Sequence, residues 1–188
     1  QYPLYVFCSE GIWVMQVDTS GTLAYEACHQ LSRDICVNGA TICGIGGGVV
    51  FAAKQGLMLL VGNSIKKISA AMDGVGQTMT GVPDNIFFDI ASLVSLAACA
   101  RGDLFERYLL NATVTLLPLQ NELLISNAQY SYSYLCSFQT GFWSKLSASF
   151  TGRVYGISDV LMFQATGSVT NVFSVGKELT GSNRVLLY

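Results

Sequence analysis

The sequence predicts a mainly β chain assembled from antiparallel hairpins, and three observations carry that prediction. The first is the stretch from Leu4 to Thr22. Apolar residues run up to a Ser-Glu-Gly turn, leave it through Ile12, Trp13 and Val14, and stop at a second turn, Asp18 to Gly21. Strand-length apolar runs divided by such turns are the sequence form of a tight hairpin with a third strand to follow. The second observation is recurrence. Phe51 is followed by Ala-Ala-Lys-Gln and then Gly56 and Leu57 to Leu60; Phe138 by Gln-Thr and then Gly141, Phe142 and Trp143; Phe163 by Gln-Ala-Thr and then Gly167. Each copy ends a strand in Phe, turns, and restarts on a Gly that can take positive φ. The third is the period: Gly11 to Gly56 is 45 residues, close to the ~40–45 of a four-stranded propeller blade. The predicted architecture is therefore antiparallel four-stranded blades of a β-propeller, partial or incomplete, with a helical insertion.

In order along the chain, Leu4 to Ser9, Gly11 to Val17 and Thr22 to Cys28 are predicted strands. Asn38-Gly39 is a turn dipeptide, and Gly44 to Gly48 a second turn leading into Val49 to Ala53. Gly62-Asn63 turns Leu57 to Val61 back into Ile65 to Ile68, and residues 71 to 81 lack a period and read as a loop. The period then changes. Pro83 can open a helix, and Ile86, Phe87, Ile90, Leu93, Val94 and Ala97 fall on one face at 3.6-residue spacing. Arg101-Gly102 ends that helix, and Asp103 can cap a shorter one through Leu110. Strands resume at Ala112 to Leu117, Glu122 to Ser126, Tyr130 to Phe138, Phe142 to Leu146, Val160 to Phe163 and Ser168 to Phe173, with a last strand in RVLLY. Residues 1–82 and 111–188 are thus expected to be blade repeats and 83–110 the helical insertion, in one structural domain cut from a longer chain.

Composition narrows the function classes. The 188 residues are 51% hydrophobic and only 12% charged, the apolar edge of globular composition, so a partner chain is expected to cover an apolar face. Net charge is −2 with ten basic residues scattered singly, which argues against gripping a nucleic-acid backbone and against sequence-specific nucleic-acid binding. The longest apolar run, Ile90 to Ala100, is broken by two serines and falls short of the ~20 residues of a membrane span.

Candidate chemistry is sparse. Cys8, Cys28, Cys36, Cys43, Cys99 and Cys136 form no C-x-x-C pair and read as small buried hydrophobes. The single histidine, His29, has no second imidazole for a zinc site, and Cys28 cannot partner it along a strand because consecutive side chains point to opposite faces. Asp18-Thr-Ser-Gly21 differs from the Asp-Thr-Gly of aspartic proteases by one inserted Ser and has no second copy, so it is a hairpin turn. The run GIGGGVV beginning at Gly44 precedes a β-branched strand, where a phosphate cradle would precede a helix. Asn111-Ala-Thr113 is a formal glycosylation sequon. No catalytic, cofactor-binding or metal-binding residue is assigned, and no cofactor is expected. Tyr130, Tyr132 and Tyr134 alternate strictly, so one strand face is aromatic: a cross-strand ladder or, with Trp143, a stacking platform for glycans.

The segments VFCSEGIWVM, SRDICVNGA and GGGVVFAAKQGLMLLVGNSIKKIS together resemble the propeller-like tail tubular, or nozzle, proteins of short-tailed bacteriophages. The later ISNAQYSYSYLCSFQTGFWSKL is similar to tail-associated virion proteins of crAss-like phages of gut Bacteroides, in Asn127, the three tyrosines, Gly141 and Trp143. Ala128 departs from that pattern, which has Pro. The resemblance covers most of the chain outside Pro83 to Leu110. It implies a non-enzymatic virion component made in the bacterial cytoplasm. Such a subunit would form a homo-oligomeric ring at the tail or head-tail junction, with portal, tail and ring proteins as neighbours. The alternative is a propeller that recognises glycans through surface aromatics.

Overall fold

A computed structural model describes residues 3–17, 25–72, 105–146, 148–155, 160–166 and 169–175. The protein is mainly β and is built of antiparallel sheets. The chain divides into two compact units, Gln1–Leu110 and Asn111–Tyr188.

In the first unit β1 (Leu4–Cys8), β2 (Gly11–Val17) and β3 (Tyr25–Ser32) form one sheet in that order. The strands β4 (Cys36–Ile45), β5 (Gly48–Ala53), β6 (Gly56–Val61) and β7 (Ser64–Lys67) form a second, followed by a 3₁₀ turn at Ala70–Met72. Among the described residues every sheet neighbour in this unit is a sequence neighbour. The two sheets pack through alternate residues of each strand: Ile12, Phe51, Ala53, Met58 and Leu60 are buried together, with Tyr5, Phe7, Leu31 and Ile65 against them. The Phe7 and Phe51 rings meet at 5.1 Å between centroids, tilted by 58°, a favoured aromatic arrangement. In the second unit β8 (Thr113–Leu117), β9 (Glu122–Ser126), β10 (Ser133–Ser137) and β11 (Trp143–Leu146) form a sheet, and β12 (Gly152–Tyr155), β13 (Val160–Thr166) and β14 (Val169–Val175) another. Leu117, Leu124, Leu135, Phe150, Val160 and Met162 make the core between them.

Two of the recurring glycines occupy matching settings. Cys8 pairs with Gly11 and Ala53 with Gly56, so Ser9-Glu10 and Lys54-Gln55 are two-residue turns of the same kind. Gly11 has φ 136° and Gly56 φ 132°, values that side chains with a Cβ rarely adopt. A Cβ on Gly11 would lie 2.2 Å from the Ser32 carbonyl oxygen, and one on Gly56 2.4 Å from Ser69 Oγ. Gly141 is different: its φ is 71° and it donates its N–H to the Ser137 carbonyl inside a longer turn. The fourth glycine, Gly167, lies outside the described residues, as do Asp18 to Gly21, residues 83–104 of the expected insertion and the RVLLY strand.

Several expectations need correction. The third strand, described from Tyr25, runs on to Ser32, past the expected end at Cys28, because main-chain pairing with β2 continues until Ile12 faces Ser32; Thr22 to Ala24 lie outside the described residues. Asn38-Gly39 does not turn the chain; it lies inside β4, where the register with β5 jumps from Cys36 to Asn38 and again to Cys43. There the Thr41 hydroxyl donates to the Asn38 carbonyl at 2.6 Å and accepts the Ala52 N–H at 2.9 Å, filling the gap in the ladder. The glycine-rich turn narrows to Gly46-Gly47, and β12 is a strand that no pattern announced. Of the expected helical segment, the described part holds one short helix, α1 (Phe105–Leu109), against β6. Trp13 and Trp143 are both only half-buried; Phe51 is the large aromatic fully enclosed between the first two sheets.

Gly11→Ala and Gly56→Ala should each lose about 1–3 kcal/mol, since strain and a collision coincide there. Gly44→Ala, where a Cβ meets nothing within 4 Å, should stay within about 0.5 kcal/mol of the parent; urea unfolding midpoints check all three. By the same measurement Phe51→Ala should cost about 3–5 kcal/mol and Trp13→Ala clearly less.

Candidate functional site

The tyrosine-rich segment is the one feature the sequence offers as a binding surface, and β10 decides what it does. Leu135 belongs to the core between the two sheets of its unit, so strand alternation sends Tyr134 and Cys136 to the opposite face. Register adds the residues beside them: Lys145 lies opposite Tyr134 and Trp143 opposite Cys136. The strand begins at Ser133, so Tyr130 and Tyr132 stand on the turn that leads into it. The rings nevertheless form a ladder. Tyr130 and Tyr132 are 5.4 Å apart at 58°, and Tyr132 and Tyr134 are 5.4 Å apart, edge to face at 79°.

This ladder is turned inward. Tyr132 is 6% exposed and Tyr134 5%, while Tyr130 and Trp143 are half-buried. Lys145 Nζ sits 3.7 Å over the centre of the Tyr132 ring, a cation–π contact that occupies the ring face. A sugar stacks on an open aromatic face, and Tyr132 and Tyr134 offer none. The arrangement holds the strand ends together.

Sequence reading missed the polar cluster behind β10. Ser126 Oγ accepts the Phe150 N–H at 2.8 Å, donates to the Phe150 carbonyl at 3.1 Å, and receives the Ser133 hydroxyl at 3.0 Å. Ser149 donates to the Asn127 carbonyl at 2.8 Å, and Asn127 Oδ1 accepts the Gln129 N–H at 3.0 Å. Ser126, Asn127 and Ser133 are all buried. With neither a base nor an acid in the cluster, it is a hydrogen-bonded seam joining β9 and β10 to the segment that enters β12. Ser133 alternating with the tyrosines was its only signal, one that any polar strand residue would give. Thr115 Oγ1, by contrast, is buried with no hydrogen-bond partner.

The remaining candidates do not converge. His29 and Cys28 are both exposed on β3, opposite Val14 and Met15. Cys8 is exposed, Cys36 half-buried, and Cys43 and Cys136 buried; all five described cysteines are thiols outside any disulfide. The exposed pair corrects the expectation of uniformly buried cysteines, because an outward-facing strand position admits a small apolar side chain as readily as an inward one. Burial pushes the Cys136 thiol up to about 11, and the Glu122 carboxylate adds to the shift, so this sulfur stays protonated and unreactive near neutrality. Among the described residues no group of three or more His, Cys, Asp or Glu side chains is placed to hold a metal ion, and no helix is long and apolar enough to cross a membrane. At one end of the β8–β11 sheet, the Phe138 N–H donates to the Asn121 carbonyl at 3.1 Å and ties two turns together. These turns expose Leu119 (60%) and Phe142 (77%).

Compared with models of protein families and with curated proteins, the sequence matches none.

Ser126→Ala removes the hub of the seam and strands the Phe150 N–H, and should cost about 1–3 kcal/mol. Thr115→Val, which removes a hydroxyl that bonds to nothing, should be neutral or stabilising. Denaturant titration of the two variants beside the parent tests the pair, and equal losses in both would contradict the seam.

Proposed function

We propose that this chain is a non-enzymatic structural component of a bacteriophage or prophage virion, a ring subunit of the tail or head-tail junction that works through protein–protein assembly. In this reading its sheets are blades of a partial propeller, and rigidity is the property put to use. The observation that carries it is the topology: among the described residues, successive sheets follow one another along the chain, each an antiparallel meander of consecutive strands with none shared. Blades require that order. The matching Gly11 and Gly56 hairpins add support, because the β1–β2 and β5–β6 corners are the same structure repeated.

Chemistry and surface point the same way. The described titratable groups do not gather into a site, whereas Leu119 and Phe142 leave an apolar tip outside of the kind that contacts between proteins cover. The phage identity rests on the resemblance of the strand and turn segments. The glycan alternative gains no support from rings that are mostly enclosed.

Co-expression of the full-length protein with portal and tail proteins encoded beside it, followed by electron microscopy of the purified complex, tests the proposal. Rings containing this chain are expected. A monomer that stays monomeric at high concentration and binds none of those neighbours would overturn it.

A further inference from the structure

We propose that Asn38-Gly39 is a self-modifying latch: deamidation of Asn38 loosens the C-terminal end of the short helix α1 from the β4 sheet. Asn38 is the one asparagine in the sequence followed by glycine, the neighbour that least hinders attack by its own backbone nitrogen on the side-chain amide. The fold leaves that peptide open. Gly39 and Ala40 are exposed, and a Cβ at Gly39 would meet nothing within 4 Å. Water and base therefore reach the Gly39 peptide, beside an Asn38 side chain that is half-buried.

The Asn38 carboxamide is held at both ends. Its Oδ1 accepts the Ala40 N–H at 3.0 Å, and its Nδ2 donates to the Leu109 carbonyl at 3.0 Å. Leu109 is the last residue of α1, where helix carbonyls have no intrahelical partner and need an outside donor. Asn38 supplies one from the β4 bulge. It is thus both a labile amide and the cap of a helix 71 positions away in sequence.

The chemistry is intramolecular until the last step. The Gly39 nitrogen, losing its proton to base, attacks Asn38 Cγ. The negative charge that develops on Oδ1 faces the Ala40 N–H, a donor suited to stabilise it. The Cγ–Nδ2 bond breaks and ammonia leaves with a proton, giving a five-membered succinimide. One water then opens either carbonyl to aspartate or isoaspartate. Nothing is oxidised or reduced. The donor to Leu109 departs with the ammonia, and a carboxylate replaces it, so two acceptors now face each other. Donors and acceptors left without partners are costly, so the C-terminal end of the short helix should open more often, while the buried Phe105, Tyr108 and Leu109 keep it seated and β5 and β6 stay paired.

The proposal is independent of the assembly reading. Incubating the whole chain in mildly alkaline buffer and mapping peptides by mass spectrometry should find conversion at Asn38 well ahead of Asn63 and Asn121, through a succinimide. Gly39→Ala should suppress it without changing the unfolding midpoint. Hydrogen exchange of N38D should show the 105–110 amides exchanging at least about tenfold faster than in the parent, as local opening predicts, with β5 and β6 unchanged. Conversion at Asn38 no faster than at Asn63 and Asn121, or N38D with parental exchange over 105–110, would overturn it.

Discussion

Everything in this protein depends on the burial of one face of each meander against the face of another. A hairpin of consecutive strands satisfies its own backbone but leaves an apolar surface that cannot remain in water. Here that surface is closed by a second meander in the same unit: Phe51 and Leu60 against Ile12 and Phe7 in the first, and Leu124 and Leu135 against Val160 and Met162 in the second. Sheet pairing is driven by area; the polar seam at Ser126 then fixes register, because hydroxyls and main chain must meet at bonding distance. The first contribution is large and tolerant, the second small and exacting.

This division explains what a reader of the sequence could and could not see. The hairpins at Gly11, Gly56 and Gly62 were legible because a tight turn between apolar strands needs a residue free of Cβ at a particular place, and each glycine does have positive φ. Asn38-Gly39 carries the same letters but sits in a bulge, since the partner strand and the Thr41 hydroxyl, not the dipeptide, decide its conformation. Strand β12 was invisible: Gly152-Arg-Val-Tyr155 is too short and mixed to show a period, and it is a strand because β13 is there to pair with it. Nothing local marked Trp13 and Trp143 as half-buried while Phe51 is enclosed; burial is a property of what the opposing sheet brings.

The candidate site was less legible than the fold. The three tyrosines do meet, but through the turn before β10 and not by alternation along a strand, which begins only at Ser133, and whether a row of rings faces water or protein is settled by what the neighbouring strands bring. Lys145 is such a neighbour, one residue among ten cations with no sequence mark of its place over Tyr132. The serines of the seam are commoner still. Groups that hold a protein together by hydrogen bonds leave a fainter trace in sequence than groups that perform chemistry, because many residue types at many spacings will serve.

The interruption within β4 has a mechanical side. A regular ladder melts as one cooperative piece, but between Asn38 and Cys43 the connection to β5 passes through a hydroxyl, not through matched peptide groups. Strand β4 therefore has a joint. The segment around Cys43 to Ile45, continuous with the Gly46-Gly47 corner, can keep its pairing while the segment around Cys36 peels away, so this margin of the sheet yields in two stages.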